Sequence, residues 1–475
     1  MTYENGLFIF RRDLRIQDNI GLFNAMKSCK NVYTIFIFTP EQVSKNDFKS
    51  NNAVQFMIES LIDLQKNIEE HNGRLLCLYG KNNDIISKLC DRLAIEAVFF
   101  NKDYTPYAKK RDSKIEKLCK KEDIVVKMFQ DYYLYTPGSI LTQSGTPYKK
   151  FTPFYNTVLK TKVSPKTHHM YNKNPNFSNI SKVLFTQIKK SFGSNFIQLS
   201  DAMSQFTVEN PDIMVHGGRA NAMTKYKNLS KTNIRDYGET RNLLSLKTSE
   251  LSAYLKFGCL SIREVYHKVK KHHGIHHDLI RQFIWRDFYA HLLDAFPYVI
   301  GNPMKEKYDN IKWVNNVKLF NAWKSGNTGF PIVDAGMRQM NQTGYMHNRA
   351  RLIVASFLIK TLLIDWEKGE KYFAQTLTDY DPASNNGNWQ WVASTGADSQ
   401  PYFRIFSPWA QSKKFDKDGV YIKKWIPELK DVESTHLHEW NNKHEKYSDI
   451  NYPKPIVDYS EQRKKALDIY STALQ

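Results

Sequence analysis

Two hydrophobic patterns divide the chain. In residues 1–130, short apolar runs rich in β-branched and aromatic residues are separated by segments with helical periodicity, clearest at 53–68 and 107–118. Strands that alternate with helices predict βαβ units and a parallel sheet. The runs therefore predict a five-stranded, doubly wound α/β domain with ligands at the carboxyl ends of its strands. They lie at 7–10, 32–38, 75–79, 97–100 and 125–129.

The pattern changes after residue 130. Residues 131–205 are rich in Pro, Gly, Ser, Thr, Asn and Lys, and their weak periodicity predicts a long linker that wraps the surface between two domains. From 206 to 475 the apolar spacing is helical, clearest at 248–258, 279–293 and 348–363. This part is predicted to be one all-α domain.

Neither the apolar stretches nor the first residues of the sequence indicate a membrane or secreted protein. No apolar stretch approaches the length of a membrane span, and the start MTYENGLFIF lacks the basic region of a signal peptide. We therefore expect a soluble, intracellular protein without a membrane partner. The five cysteines form no CxxC pair, which indicates buried free thiols in a reducing compartment.

Charge and aromatic content point towards a polyanion. The formal net charge of +20 favours a partner rich in phosphate, although a genome that favours Lys and Asn would give the same excess. The 9 Trp, 27 Tyr and 28 Phe are more informative, because aromatic rings serve base stacking as well as cores.

One histidine-rich stretch, KKHHGIHHD at 270–278, invites a metal interpretation because His272 and His276 are four residues apart. No cysteine or carboxylate cluster accompanies it, so we predict a solvated loop and no metal.

The interval 326–410 concentrates polar residues within strongly apolar helices. Buried charges cost several kcal/mol unless they are paired, so these residues indicate either structural ion pairs or a buried polar cofactor pocket. The stretch NNGNWQW (385–391) adds two tryptophans to the same interval. The embedded polar residues are Asp334, Arg338, Asn348, Arg349, Arg351, Asp379, Asp381 and Asn385.

Together the motifs resemble those of the photolyase/cryptochrome flavoproteins, most closely class I cyclobutane pyrimidine dimer (CPD) photolyases. The resemblance covers nearly the whole chain. It implies an α/β antenna-binding domain (1–130), an interdomain linker (131–205) and a helical FAD-binding catalytic domain (206–475). The motifs are FRRDLRIQDN (10–19), NKDYTPYAKKRD (101–112), TSELSAYLKFGCLSIREV (248–265), FIWRDFYAHL (283–292), GFPIVDAGMRQMNQTGYMHNRARL (329–352) and NNGNWQW (385–391).

The resemblance implies which residues hold FAD. Arg351 is expected to pair with Asp379 beside the isoalloxazine ring. Asn385 is expected to face flavin N5, where an amide suits a reduced, anionic flavin. The phosphates and ribityl chain are expected at Tyr237, Thr248, Ser249, Leu251 and Ser252, and the flavin and adenine at Arg286, Asn348, Asp379 and Asp381.

The tryptophans divide into two groups by the same resemblance. Trp389, Trp366 and Trp313 match an electron-transfer chain that allows an external donor to reduce photoexcited FAD. Trp285 and Trp391 are expected to wall a pocket for a flipped-out dimer. Phosphates of the DNA are expected at Arg241, Arg349 and Arg404.

The implied activity is light-driven repair of UV-induced pyrimidine dimers in DNA, in which excited reduced FAD passes an electron to the dimer and the cyclobutane ring splits. We expect a monomer, located in the cytoplasm of a prokaryote or in the nucleus or another DNA compartment of a eukaryote.

Two departures from the family pattern bear on specificity. Gln282 stands where CPD enzymes carry a dimer-binding glutamate, and Leu352 stands where they usually carry Met. Gln also occurs there in (6-4) photolyases, but those need a histidine pair where this chain has Asn348 and Leu352. The sequence therefore favours slower CPD repair, with (6-4) repair as an alternative.

The other alternative is a cryptochrome-type blue-light photoreceptor. Cryptochromes commonly carry a long C-terminal extension, and this sequence ends at Gln475 soon after its last helical pattern, which favours repair. The antenna chromophore stays open between folate, deazaflavin, a second flavin and none at all. Ala108 and Gly301 stand where some relatives place folate-binding residues.

Overall fold

The N-terminal apolar runs form one parallel sheet, as predicted. A computed structural model describes residues 2–44, 46–165 and 175–475. Its strand order is β3-β2-β1-β4-β5, and all four neighbouring pairs are parallel. The strands are β1 (Tyr3–Phe10), β2 (Cys29–Phe38), β3 (Leu75–Tyr79), β4 (Ala97–Asn101) and β5 (Val125–Phe129).

Helices cover both faces of this sheet, which makes it doubly wound. Alternate residues of β1 point to opposite faces, so Phe8 packs into one core cluster and Leu7 into another. The helices of this region are α1 (Ile20–Ser28), α2 (Pro40–Val43), α3 (Asn51–Glu69), α4 (Asn82–Leu93) and α5 (Pro106–Lys121).

The segment predicted as a linker contains short helices. Residues 166–174 of that prediction lie outside the described residues. The described part includes α6 (Phe151–Leu159), α7 (Lys182–Phe192) and α8 (Leu199–Phe206).

The C-terminal region is helical, and no strand follows β5 in the part of the chain that the structure describes. This confirms the predicted all-α class. Its helices are α9 (Arg219–Asn228), α10 (Thr232–Arg235), α11 (Tyr237–Thr240), α12 (Ser252–Phe257), α13 (Ile262–His273), α14 (Asp278–Ala295), α15 (Val317–Ser325), α16 (Pro331–Thr343), α17 (Asn348–Lys360), α18 (Trp366–Thr376), α19 (Pro382–Ala393), α20 (Pro408–Phe415), α21 (Val420–Trp425), α22 (Ser434–Leu437), α23 (Trp440–Lys443) and α24 (Tyr459–Ala473).

One hydrophobic cluster joins all three regions. It contains Phe8 from the sheet, Tyr135 and Phe151 from the linker, and Phe288 from α14. The linker is therefore not only a surface strap, because several of its aromatic rings are buried in the core. The predicted boundaries at 130 and 205 stay predictions.

Smaller expectations met different outcomes. All five cysteines are buried and free, as predicted. The histidine-rich stretch is less loop-like than predicted, because His272 and His273 form the last turn of α13 and His277 caps α14. Among the described residues no group of His, Cys, Asp and Glu could hold a metal ion, and no helix is long and apolar enough to cross a membrane.

Candidate functional site

A cavity of about 480 Å³ opens among the helices of the C-terminal region. Its walls come from α11, α12, α14, α17 and α19 and from the loops that precede α12, α17 and α19. Most residues predicted from the sequence line it: Tyr237, Arg241, Thr248, Ser249, Leu251, Ser252, Gln282, Trp285, Arg286, Asn348, Arg349, Arg351, Leu352, Asp379, Asp381 and Trp391.

The remaining predicted residues lie elsewhere. Asn385 and Trp389 line an adjoining cavity of about 100 Å³ that shares part of its wall with the larger one. Trp366, Trp313 and Arg404 line neither of these two cavities.

The predicted ion pair between Arg351 and Asp379 is present. Arg351 Nη2 lies 2.9 Å from Asp379 Oδ2, and Arg351 Nε donates to the carbonyl of Met346 at 2.9 Å. Burial alone would raise the pKa of Asp379, but the Arg351 guanidinium outweighs it and leaves the pKa below its usual range. Asp379 is therefore a carboxylate at neutral pH.

Asp381 is held by an arginine from the sheet region. Arg12, which follows β1, places Nη2 2.5 Å from Asp381 Oδ2 and also contacts Asp103 at 3.2 Å. The other oxygen of Asp381 accepts from the backbone N–H of Ser384 and caps α19. Burial alone would raise the pKa of Asp381, but the positive charges of Arg12 and then Arg286 outweigh burial and leave the pKa below its usual range. Asp381 is therefore ionised as well. We call these two ion pairs, Arg351–Asp379 and Arg12–Asp381, the paired end of the cavity.

Arg286 and Lys256 add positive charge to the same end. Arg286 donates to the backbone carbonyl of Tyr132 at 2.6 Å, so the linker fixes its position. Burial, and then the nearby charge of Arg12, lowers the pKa of Lys256 to about 7.

The hydroxyl-bearing loop before α12 contains one strained residue. Glu250 has a φ of 50°, a left-handed conformation that is uncommon outside glycine, and its buried carboxylate pairs with Lys225. The Thr248 hydroxyl lies 3.4 Å from the Tyr345 hydroxyl. The ion pair holds the loop in a shape that presents several hydroxyl groups to the cavity.

The Asn385 side chain is oriented by α18. Its Nδ2 donates to the backbone carbonyl of Glu370 at 3.1 Å, which turns the amide oxygen away from that helix. Burial raises the pKa of Glu370 to about 7.

Another part of the cavity wall is aromatic and makes few polar contacts. Gln282 and Trp285 lie one turn apart on α14, while Leu352 and Trp391 come from α17 and α19, and all four are half-buried. Gln282 makes one side-chain hydrogen bond, in which Nε2 donates to the Asp278 carbonyl at 3.3 Å. We call these four residues the aromatic end.

Two arginines, Arg241 and Arg349, line the cavity beside these residues. Arg349 donates to Asn242 Oδ1 at 2.7 Å, and the buried Nε of Arg241 has no hydrogen-bond partner among the described residues. Arg404 is exposed on the segment after α19. Buried Lys360 supports that segment, because its Nζ donates to the carbonyls of Tyr402 and Arg404, each at 3.3 Å.

No histidine lines the larger cavity in the part of the chain that the structure describes. His347 caps α17 instead, with its Nδ1 accepting from the Arg349 backbone N–H at 3.1 Å. Burial, and then Arg351 and Arg349, lowers the pKa of His347 to about 4, so the ring is neutral.

Of the three tryptophans of the predicted chain, two are buried and one is partly exposed. Trp389 and Trp366 are buried, whereas Trp313 is half-buried beside Tyr470 at 5.9 Å. Trp389 packs directly on Gly369, where a Cβ would lie 2.2 Å from the indole Cη2. Gly369 is three residues after Trp366 on α18, so Trp389 packs against the helix that carries Trp366.

The glycine of NNGNWQW also has a packing role. A Cβ at Gly387 would lie 2.1 Å from Tyr289 Cδ1, so only glycine lets α19 approach α14 this closely. This contact brings Trp391 and Trp285, on the same two helices, to one cavity.

The sequence did not identify several residues of the site. Arg12 lies in the motif FRRDLR, but nothing in that motif shows that its partner is Asp381, 369 positions away. Lys256 and Tyr289 also line the cavity. Spacing along the chain cannot reveal such contacts, because they depend on how the two regions pack.

Comparison with known proteins agrees with this geometry. The family model "DNA photolyase" matches residues 7–171, and the model "FAD binding domain of DNA photolyase" matches residues 279–472. A deoxyribodipyrimidine photo-lyase of Buchnera aphidicola is 37% identical, with 99% of this chain and 97% of the relative covered. The enzyme of that name from Escherichia coli is 34% identical, with 98% of each covered.

Solved structures give the same result. An archaeal photolyase from Sulfolobus tokodaii, described with two FAD molecules, has a TM-score of 0.85 at 38% identity and covers 98% of this chain and 100% of its own. A cryptochrome from Synechocystis has a TM-score of 0.84 at 25% identity and covers 98% of this chain and 99% of its own.

Proposed function

The chain belongs to the DNA photolyase family, and from that premise we propose that it repairs cyclobutane pyrimidine dimers in DNA under blue light. One observation carries the proposal: a single cavity has a paired end that suits FAD and an aromatic end that suits a flipped-out dimer. Cofactor and lesion would then lie side by side.

The cavity fits FAD by the chemistry of its walls. Its volume falls within the range of roughly 300–1,000 Å³ that is usual for cofactor sites. Thr248, Ser249 and Ser252 offer hydroxyl donors to a pyrophosphate, and Arg351 and Asp379 offer a donor and an acceptor to a flavin edge. When bound and reduced, FAD supplies the light-excited electron that opens the dimer.

Asn385 would set the preferred state of the flavin. Because its Nδ2 is engaged by the Glu370 carbonyl, its oxygen is the atom available to accept a hydrogen bond from flavin N5. Because the amide oxygen carries no full negative charge, it can accept this hydrogen bond without repelling a reduced, anionic flavin.

The aromatic end would hold the lesion. Trp285 and Trp391 offer faces on which the dimer's bases stack, which offsets part of the cost of removing them from the duplex. Gln282, one turn from Trp285, can donate to and accept from a base edge. Arg241, Arg349 and Arg404 would hold the flanking phosphates.

Trp389, Trp366 and Trp313 would connect the flavin to the surface. Trp389 and Trp366 are buried and Trp313 is half-buried, so the last of the three is accessible to an external donor. Indole is the side chain best suited to this role, since it is readily oxidised and packs without strain in an apolar helix bundle.

The cavity favours CPD repair over (6-4) repair. The chain has Asn348 and Leu352 at the two positions where (6-4) enzymes require histidines. The nearby His347 is engaged in capping α17. A photoreceptor of the cryptochrome type is the second candidate, because the Synechocystis cryptochrome shares the fold over nearly the whole chain. The antenna chromophore stays open, and the second FAD described for the Sulfolobus photolyase makes a flavin one candidate.

Repair is tested with irradiated oligothymidine, the reduced FAD-loaded protein and blue light, by following the ultraviolet absorbance that returns as dimers revert to thymines. We expect the absorbance to rise in the light and stay constant in the dark. A protein that binds FAD, responds to light and leaves the dimers intact would contradict CPD repair. The same assay with a (6-4) substrate would then separate the two remaining candidates.

A further inference from the structure

A ring from the predicted linker lies behind the cavity wall at Trp285. Phe151, the first residue of α6, stacks on Trp285 with ring centroids 3.7 Å apart and planes 3° from parallel. Phe151 is only 1% exposed, whereas Trp285 is half-buried and lines the cavity. The indole therefore rests on Phe151 and still reaches the cavity.

Neighbouring groups hold the Phe151 ring in place. Phe288 packs edge-on against it at 5.8 Å, Tyr155 stacks at 5.6 Å, and the Arg281 guanidinium lies 5.2 Å from its centroid. The ring is thus held between Tyr155 on its own helix and Phe288 and Arg281 on α14, the helix that carries Trp285.

We propose that Phe151 is a positioning residue for lesion recognition, which fixes the plane of Trp285 so that the indole is ready to stack on a dimer. This rests on the proposed function, in which Trp285 walls the lesion pocket. Parallel stacking on one face leaves the ring few orientations, so little freedom is lost when a base stacks on the other. The linker would then act in substrate selection as well as connecting two regions.

The other explanation for Phe151 is ordinary core packing, and α6 supplies a matched control for it. Phe154 lies one turn later and is 0% exposed, with its ring against Phe288 at 5.4 Å and His291 at 5.0 Å. No ring contact joins it to Trp285 among the described residues. Leucine at either position removes a buried ring from the same helix, but only the change at Phe151 removes the ring stacked parallel to Trp285, whose other ring contacts are with Phe288 at 5.6 Å and Tyr289 at 5.5 Å.

The experiment compares F151L, F151Y and F154L with the unaltered FAD-loaded chain. Affinity is measured for an oligonucleotide with one thymine dimer and for the same undamaged sequence, and the ratio reports lesion recognition. We expect F151L to lower the ratio roughly two- to tenfold, the value of one aromatic stack. F154L and F151Y should stay within about twofold of the unaltered ratio, and the flavin absorbance spectrum should be the same in all four proteins.

Three results would overturn the inference while the proposed function stands. An equal fall of the ratio in F151L and F154L would show ordinary packing, and a fall in F151Y as large as in F151L would show that the ring is not the determinant. If the unaltered protein has no preference for the dimer, the proposed function fails, and the inference fails with it. A preference that F151L leaves intact refutes only the inference.

Discussion

The two ends of the cavity are built in opposite ways. At the paired end, two buried carboxylates are matched by arginines: Asp379 by Arg351 at 2.9 Å, and Asp381 by Arg12 at 2.5 Å. At the aromatic end, Gln282 makes one long hydrogen bond, and the buried Nε of nearby Arg241 has no partner among the described residues.

This difference matches two kinds of ligand. A cofactor that stays bound benefits from a site whose charges are already paired and oriented, because little has to rearrange when it binds. A lesion that enters and leaves needs free ring faces and spare donors. Changes at the paired end should therefore affect folding and cofactor retention, while changes at the aromatic end should affect DNA binding and repair.

The largest expected effect comes from breaking the paired end at Arg12. Arg12→Met removes the cation that pairs directly with the buried carboxylate of Asp381 and the half-buried one of Asp103, which costs about 3–5 kcal/mol in the free energy of unfolding. The variant should melt at a lower temperature and release FAD more readily, as followed by thermal unfolding and by flavin fluorescence after gel filtration. The control is Arg235→Met, since Arg235 is exposed and pairs only loosely with Asp236 at 3.5 Å. Equal melting temperatures for the two variants would contradict the role of Arg12.

A pH-dependent effect of similar size is expected at Glu370, whose carbonyl orients Asn385. Burial raises the pKa of Glu370 from its ordinary 4.5 to about 7, so the native state holds a proton that the unfolded state has already released. The unfolded state is favoured increasingly as pH rises between these values, and this costs at most roughly 3 kcal/mol above pH 7. Glu370→Gln removes the titration.

The stability of Glu370→Gln relative to the unaltered protein should therefore increase from pH 5 to pH 7.5. Thermal unfolding over that range measures the difference, with exposed Glu445 changed to Gln as the control. A difference that does not vary with pH would show that Glu370 is ionised in the native state.

At the aromatic end, Trp391→Ala should weaken binding of dimer-containing DNA by about 1–3 kcal/mol, which corresponds to roughly 5- to 150-fold, because a base loses its stacking partner. Affinity for undamaged DNA and the flavin absorbance spectrum should change little. Trp425→Ala, which alters a half-buried tryptophan on α21 away from the cavity, is the control. Equal losses for damaged and undamaged DNA would contradict a lesion-stacking role.

The same contrast explains what the sequence could predict. The strands and long helices follow from local periodicity, and the predicted strand at 75–79 matches the structure residue for residue. The candidate site could be listed because its motifs resemble those of a family. Partners such as Arg12 for Asp381 and Phe151 for Trp285 could not be predicted, because each joins regions that are far apart in the chain and meet only after packing.

The linker shows the limit most clearly. Its polar composition predicted a surface segment, yet Tyr135, Phe151 and Phe154 are buried in the core. Composition averages over a segment, whereas packing depends on where a few aromatic rings fall within it. A few aromatic residues in a polar stretch change its hydrophobic periodicity little, although their rings pack closely in the core.

The smallest effect is expected where the aromatic end departs from the family pattern. Gln282→Glu should raise the repair yield per absorbed photon a few-fold, because a carboxyl group can carry a proton towards the dimer and an amide cannot. The gain should be limited, since the new carboxylate would lie one helical turn from Asp278, and like charges at that spacing destabilise a helix by a few tenths of a kcal/mol.

The measurement is the quantum yield of thymine recovery at saturating substrate, with affinity for dimer-containing DNA measured beside it. A higher yield at unchanged affinity would assign residue 282 to the chemical step, and the paired end should be unaffected, with the same flavin spectrum and melting temperature. An unchanged yield would mean that the glutamine already supplies what the dimer needs at this position.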